Sequence, residues 1–179
     1  MGFSFVWPSK KGEGWHRIHD LLRRVLWEID EEQTAQADAV LEDGFRARHA
    51  AGDESAIVDA IYHANRREWE RGYREWHEVF ESALQNSRYG LCASLLELRP
   101  ELWLETDFAQ GLLAYHAGEL ALALSQHALA RFQLEEAVAW YDRALQQQPD
   151  NINAHSNRGN ALQGLANLLA ELSEHELAR

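Results

Sequence analysis

An all-α fold is predicted by three features of this sequence. Alanine, leucine, glutamate and arginine dominate it, only three prolines interrupt it, and its apolar residues recur at spacings of three and four rather than alternating. At 179 residues the chain can hold one core or a short array of helical repeats. The expected organisation is a flexible N-terminus over 1–13, a long helical hairpin over 14–85, and antiparallel helix pairs stacked as a short α-solenoid over 86–179. Hairpin and solenoid can equally form one continuous unit.

The first helix of the hairpin is expected from Trp15, with Ile18, Leu22, Val25 and Ile29 on one stripe. An acidic interval from Asp30 to Gln36 interrupts that pattern before Val40, Leu41 and Phe45 resume it. Gly52 reads as a helix stop and Asp53 as an N-cap. A second long helix, from Glu54 to about Leu84, places Tyr62, Trp69, Tyr73, Trp76, Phe80 and Ala83 along one seam. Its other face carries Arg66 with Glu70, Arg71 with Glu75 and Arg74 with Glu78, each pair four apart, which predicts a solvated charged surface. A turn over Asn86–Gly90 leads into a short apolar helix over Leu91–Leu98, closed by Arg99 and Pro100. Thr106 is the expected N-cap of the segment that carries Phe108, Leu112 and Tyr115.

Charge and composition exclude several functions. A net charge of −12 is wrong for nucleic acid, whose phosphates require clustered Lys and Arg, and the lysines here are confined to Lys10 and Lys11. The apolar run Phe3–Trp7 is far too short for a signal peptide or a membrane span. Cys92 is the lone cysteine, so no intrachain disulfide forms, and a cytoplasmic location is expected. The chain has no Gly-rich phosphate loop, no G-x-S-x-G elbow and no H-E-x-x-H motif, and no catalytic residue, metal or cofactor is assigned. The alternative to a binding protein is an all-α enzyme or metal protein built in the hairpin. It would use His16 and His19, one turn apart, with Asp59 and His63, four apart on a helix. The tryptophans Trp27, Trp69, Trp76 and Trp140 fall on helical stripes or their edges, as core residues do.

The most informative stretch is LEEAVAWYDRALQQQPDNINAHSNRGNAL, from Leu134 to Leu162. Ala137, Tyr141, Ala144 and Pro149 are spaced as in the second helix of a tetratricopeptide (TPR) repeat, a helix hairpin of about 34 residues. Gly159 stands at the glycine place of the following first helix. Residues 121–179 therefore resemble this family. The register set by Pro149 and Asn151 makes the segment before Leu134, with Leu124, Ser125 and Ala128 at the leucine, glycine and tyrosine places, the first helix of the clearest repeat. Leu91–Gly118 is left as a degenerate one.

The resemblance implies close helix contacts at Ala137 and Gly159 and a protein-binding module or scaffold, such as the sensor or adaptor part of a larger signalling assembly. It also implies a partner segment held in a concave groove by Leu122 and Gln126 of one first helix and by Asn153, Ser156, Asn157 and Asn160 of the next. The acidic chain favours a neutral or basic segment. After Leu162 the chain is expected to run into a second helix with Leu168, Leu172 and Ala178 inward. That helix lacks a capping repeat, which makes a homo-oligomer through this end a further expectation.

Overall fold

The computed structural model describes residues 6–8, 16–18 and 31–177, and the side chains of 34–173. Two short strands, β1 (Val6–Pro8) and β2 (His16–Ile18), pair antiparallel with Val6 opposite Ile18 and Pro8 opposite His16. The helix expected from Trp15 is therefore a strand at its start. Val6, Trp7 and Ile18 are residue types that favour strands, and Gly12 and Gly14 between the two segments are poor helix formers. The rest of the expected stripe, Leu22, Val25 and Ile29, lies outside the described residues, as do most of the 1–13 segment and Trp27.

The remaining described chain is helical: α1 (Glu31–Ala50), α2 (Ala56–Arg67), α3 (Trp69–Gln85), α4 (Tyr89–Glu97), a 3-10 turn (Arg99–Glu101), α5 (Asp107–Ala123), α6 (His127–Gln147) and α7 (Ile152–Leu177). The fold is all-α. Within the described residues no helix is long and apolar enough to cross a membrane.

The described part of α1 begins within the acidic interval, at Glu31 and Glu32, and the residues before it lie outside the described ones. Gly52 ends it at φ 100°, a conformation that side chains with a Cβ rarely adopt. Asp53, three residues ahead of Ala56, holds the start of α2: it accepts from the Ala56 N–H and binds Arg48 and the Ser55 hydroxyl.

The second long helix is broken at Glu68, whose φ and ψ of −152° and 98° are extended. The break turns α3 back against α2 so closely that a Cβ on Gly72 would overlap the backbone N and Cα of Asn65. Asn65 secures the corner: its buried amide donates to the Trp69 and Trp103 carbonyls at 3.2 and 3.0 Å and accepts from the Trp103 N–H at 2.7 Å. Arg66 leaves its expected partner Glu70 and stacks on the Trp103 ring at 3.9 Å.

The charged face of α2 and α3 is solvated at Glu70, Arg74 and Glu78, but α1 packs against it at Arg71 and Glu75. Glu42, only 3% exposed, accepts from Arg46 of its own helix at 2.8 Å, Arg67 of α2 at 2.8 Å and Arg71 of α3 at 2.6 Å. Glu75, the expected partner of Arg71, instead takes both guanidinium arms of Arg46 at 2.6 and 2.7 Å. Hydrogen bonds from Arg71, then Arg46 and Arg67, outweigh burial and pull the Glu42 carboxyl down to about 2.

Two cores share α5. Ile57, Ile61, Trp76, Phe80, Leu95 and Leu113 form one, with the Trp76 indole N–H on the Leu95 carbonyl at 2.9 Å. Ala114, Leu134, Ala137, Tyr141 and Ala161 form the other. A helix apolar on all sides must be covered on all sides, and α5 fits that description. Thr106 caps it as expected, accepting the Ala109 N–H at 3.2 Å. Cys92 and Ala137 are fully buried.

α7 is one uninterrupted helix, not a first helix followed by a second, since nothing between Leu162 and Leu177 breaks a helix more strongly than Gly164. Leu168 packs on Ala121 and Ala130, Leu172 is exposed rather than inward, and Ala178 lies outside the described residues. Gly159 does not sit at a helix contact: it is exposed, and a Cβ there would meet nothing within 4 Å. Gly159→Ala is accordingly expected to raise stability by about 0.5–1 kcal/mol, the ordinary difference between these residues inside a helix. A lowered midpoint in urea melts would restore a packing role to this glycine.

Candidate functional site

The groove residues expected from the repeat do not all gather on one face. The turn after α5 falls at Leu124–Gln126, ahead of the place the repeat register assigned to it, so no first helix spans 121–133. Ser125 takes a φ of 56° at this turn, and the Gln126 N–H closes it on the Ala121 carbonyl at 2.8 Å. Leu122 is half-buried between two apolar clusters. Gln126 is exposed and lines a shallow cleft of about 260 Å³ with Leu96, Arg99, Leu120 and Leu129. Leu122 packs towards α7 beside Ala161 and Leu168, whereas Gln126 lies on the cleft.

The α7 residues stand differently. Ala154, Ala161 and Leu168 form its buried line, Asn157 flanks that line half-buried, and Asn153, Ser156 and Asn160 are exposed. Asn151 ahead of the helix caps it, its side chain accepting the Ala154 N–H at 3.0 Å. Asn157 approaches the hydroxyl of Tyr141, and Tyr73 of α3 and Tyr115 and Glu119 of α5 lie near enough to act on it electrostatically. Burial pushes the Tyr73 and Tyr141 hydroxyls well above the usual phenol range, and carries Tyr115 to about 12 with help from the Glu119 charge. The Tyr73 and Tyr141 hydroxyls are buried without a well-formed hydrogen bond. Alternate helices α3, α5 and α7 thus bring polar side chains towards Tyr141 of α6, which is itself fully buried.

Next to these side chains lies a group that the sequence reading missed. His77 and Glu81 are one turn apart on α3, and His116 and Glu119 one turn apart on α5. The His116 ring lies against Phe80 at 4.8 Å and Trp76 at 5.9 Å, and its Nδ1 meets a Glu119 oxygen at 2.8 Å. Its Nε2 meets His77 Nδ1 at 2.9 Å. His77 Nε2 faces a Glu81 oxygen at 3.8 Å. Burial, then the neighbouring His116, hold the His77 pKa below its ordinary value despite the surrounding carboxylates. The signal was present as His-x-x-x-Glu and His-x-x-Glu, but only the fold shows that the two helices bearing them touch.

Of the histidines expected in a hairpin metal site, His63 gives its Nδ1 to Asp38 at 2.7 Å and stacks on Phe45. That is a structural use. The side chains of His16 and His19 lie outside the described residues.

A family model described as TPR repeat matches residues 131–165. The matched segment runs from the second turn of α6 through the Pro149 turn into α7, so the resemblance holds over that segment. Comparison with curated proteins and with solved structures finds no match.

Proposed function

We propose that this protein is an interaction module that holds a segment of another protein along the surface shared by α3, α5 and α7. The repeat match over 131–165 supports a protein-binding role. The convergence of Tyr73, Tyr115, Glu119 and Asn157 around Tyr141 supports this face as the place for it. Tyr115, Glu119 and Asn157 are partly exposed, and their hydroxyl, carboxylate and amide groups offer donors and acceptors to an extended peptide. The row Asn153, Asn157 and Asn160 continues the same face along α7, with Ser156 beside it. Gln126 borders the neighbouring cleft, and Leu122 packs between two apolar clusters. A neutral or basic segment suits Glu119 and the net charge of −12. In this reading α3 with α4 and α5 with α6 are successive helix pairs, and α7 is the first helix of another. Exposed Leu162, Leu169 and Leu172 on α7 offer a surface on which a second copy would dock.

Affinity capture from the native cell identifies the partner, and binding of its segment is then measured against wild type and the double variant Asn157→Ala, Asn160→Ala. A loss of about 1–3 kcal/mol is expected with the circular dichroism spectrum unchanged, the usual cost of removing buried hydrogen bonds. Undiminished binding would move the surface to the N-terminal helices.

A further inference from the structure

We propose that His77, Glu81 and His116 bind a divalent transition-metal ion, best fitted by zinc, with Glu119 orienting His116. One ligand atom from each of the three residues lies within 4.8 Å of the others. The set joins two helices far apart in sequence, α3 and α5, and is half walled: His116 is 2% exposed, His77 31% and Glu81 51%. Two imidazoles and a carboxylate are the donor types zinc takes in three-ligand sites.

The hydrogen-bond pattern around the rings supports this assignment independently. With both imidazoles neutral, His116 Nδ1–H donates to Glu119, which leaves a lone pair on Nε2. That lone pair faces His77 Nδ1 at 2.9 Å, and an ion between the two nitrogens takes the place of the one proton they share, the His77 ring then carrying its proton on Nε2, on the Glu81 side.

The geometry requires little movement. Neighbouring donors of a tetrahedral ion with bonds of about 2.0–2.1 Å stand about 3.3 Å apart. The rings already place nitrogens 2.9 Å apart, and Glu81, half exposed on the solvent side, closes by side-chain rotation. Glu119 supplies the outer partner that ligating histidines characteristically have, and it also takes the Tyr115 hydroxyl. Three protein ligands leave a fourth position for water or for a side chain of a bound partner.

The test is titration of the chelator-stripped full chain with zinc by calorimetry, and with cobalt by visible absorption. Wild type should bind one equivalent. His77→Gln and Glu81→Gln lie on the solvent side and should fold as wild type by circular dichroism, yet bind at least tenfold more weakly. Glu119→Gln should weaken binding by about 10–100-fold, the range for an outer partner of a ligand. His49→Gln, at an exposed histidine on α1, should change nothing. Zinc binding equal in wild type, His77→Gln and Glu81→Gln, or no binding by wild type, would overturn the proposal.

Discussion

Gly72→Ala should destabilise the protein by about 3 kcal/mol or more, at or beyond the top of the usual range for overpacking. The added methyl meets the backbone of Asn65, not the end of a side chain that could swing away. Relief requires α3 to move off α2, and that movement strains the three hydrogen bonds by which Asn65 fixes Trp69 and Trp103. Chemical denaturation measures it, with Gly44→Ala in α1 as control. Nothing lies within 4 Å of a Cβ at Gly44, so that change should be neutral or stabilising. Equal midpoints for the two variants would mean that the corner is looser than its geometry states.

The second large effect is expected at Glu42. Glu42→Gln leaves three guanidinium groups facing an uncharged amide, and the cost should be about 2–3 kcal/mol. This is below the roughly 3–5 kcal/mol for breaking a fully buried pair, because the arginines are partly hydrated. The pH dependence has a defined sign. The folded-state pKa of Glu42 is lowered from 4.5 to about 2, so its contribution is fully present above the unfolded value and is lost as pH falls towards about 2. The stability gap between wild type and Glu42→Gln should therefore be widest near neutrality and narrow steadily below about pH 5. A gap independent of pH would assign the loss to packing.

Helix positions after Gly52 were legible because period and punctuation agree there: Gly52, Thr106, Pro149 and Asn151 all act locally. The break at Glu68 was not, since residues 65–71 contain no proline, and Gly72 reads as an ordinary weak point until Asn65 is found against it. Spacing of four likewise identified Arg71 with Glu75, but a buried carboxylate on another helix competes better for Arg71 than a solvated neighbour does. The repeat signature correctly located Ala137, Tyr141 and the Pro149 turn. It misplaced the preceding turn, because α6 begins at His127 and extends the second helix backwards through residues that the register assigned to a first helix. Asn157 could be picked out by composition; Tyr73, Tyr115, His77 and His116 could not, because their meeting depends on how helices 40 residues apart are stacked.

Leu113 and Ala114 are consecutive in α5, yet the first lies with Trp76 and Phe80 and the second with Leu134 and Tyr141. In a solenoid whose units touch only their neighbours, the two ends can melt almost independently. A helix that serves as the common wall of both compartments removes that freedom, since opening either one wets half of its circumference. The two halves therefore gain or lose order together. A partner that grips α7 thereby protects α2 and α3 from unfolding without touching them, through mass action on the folded state of the whole chain.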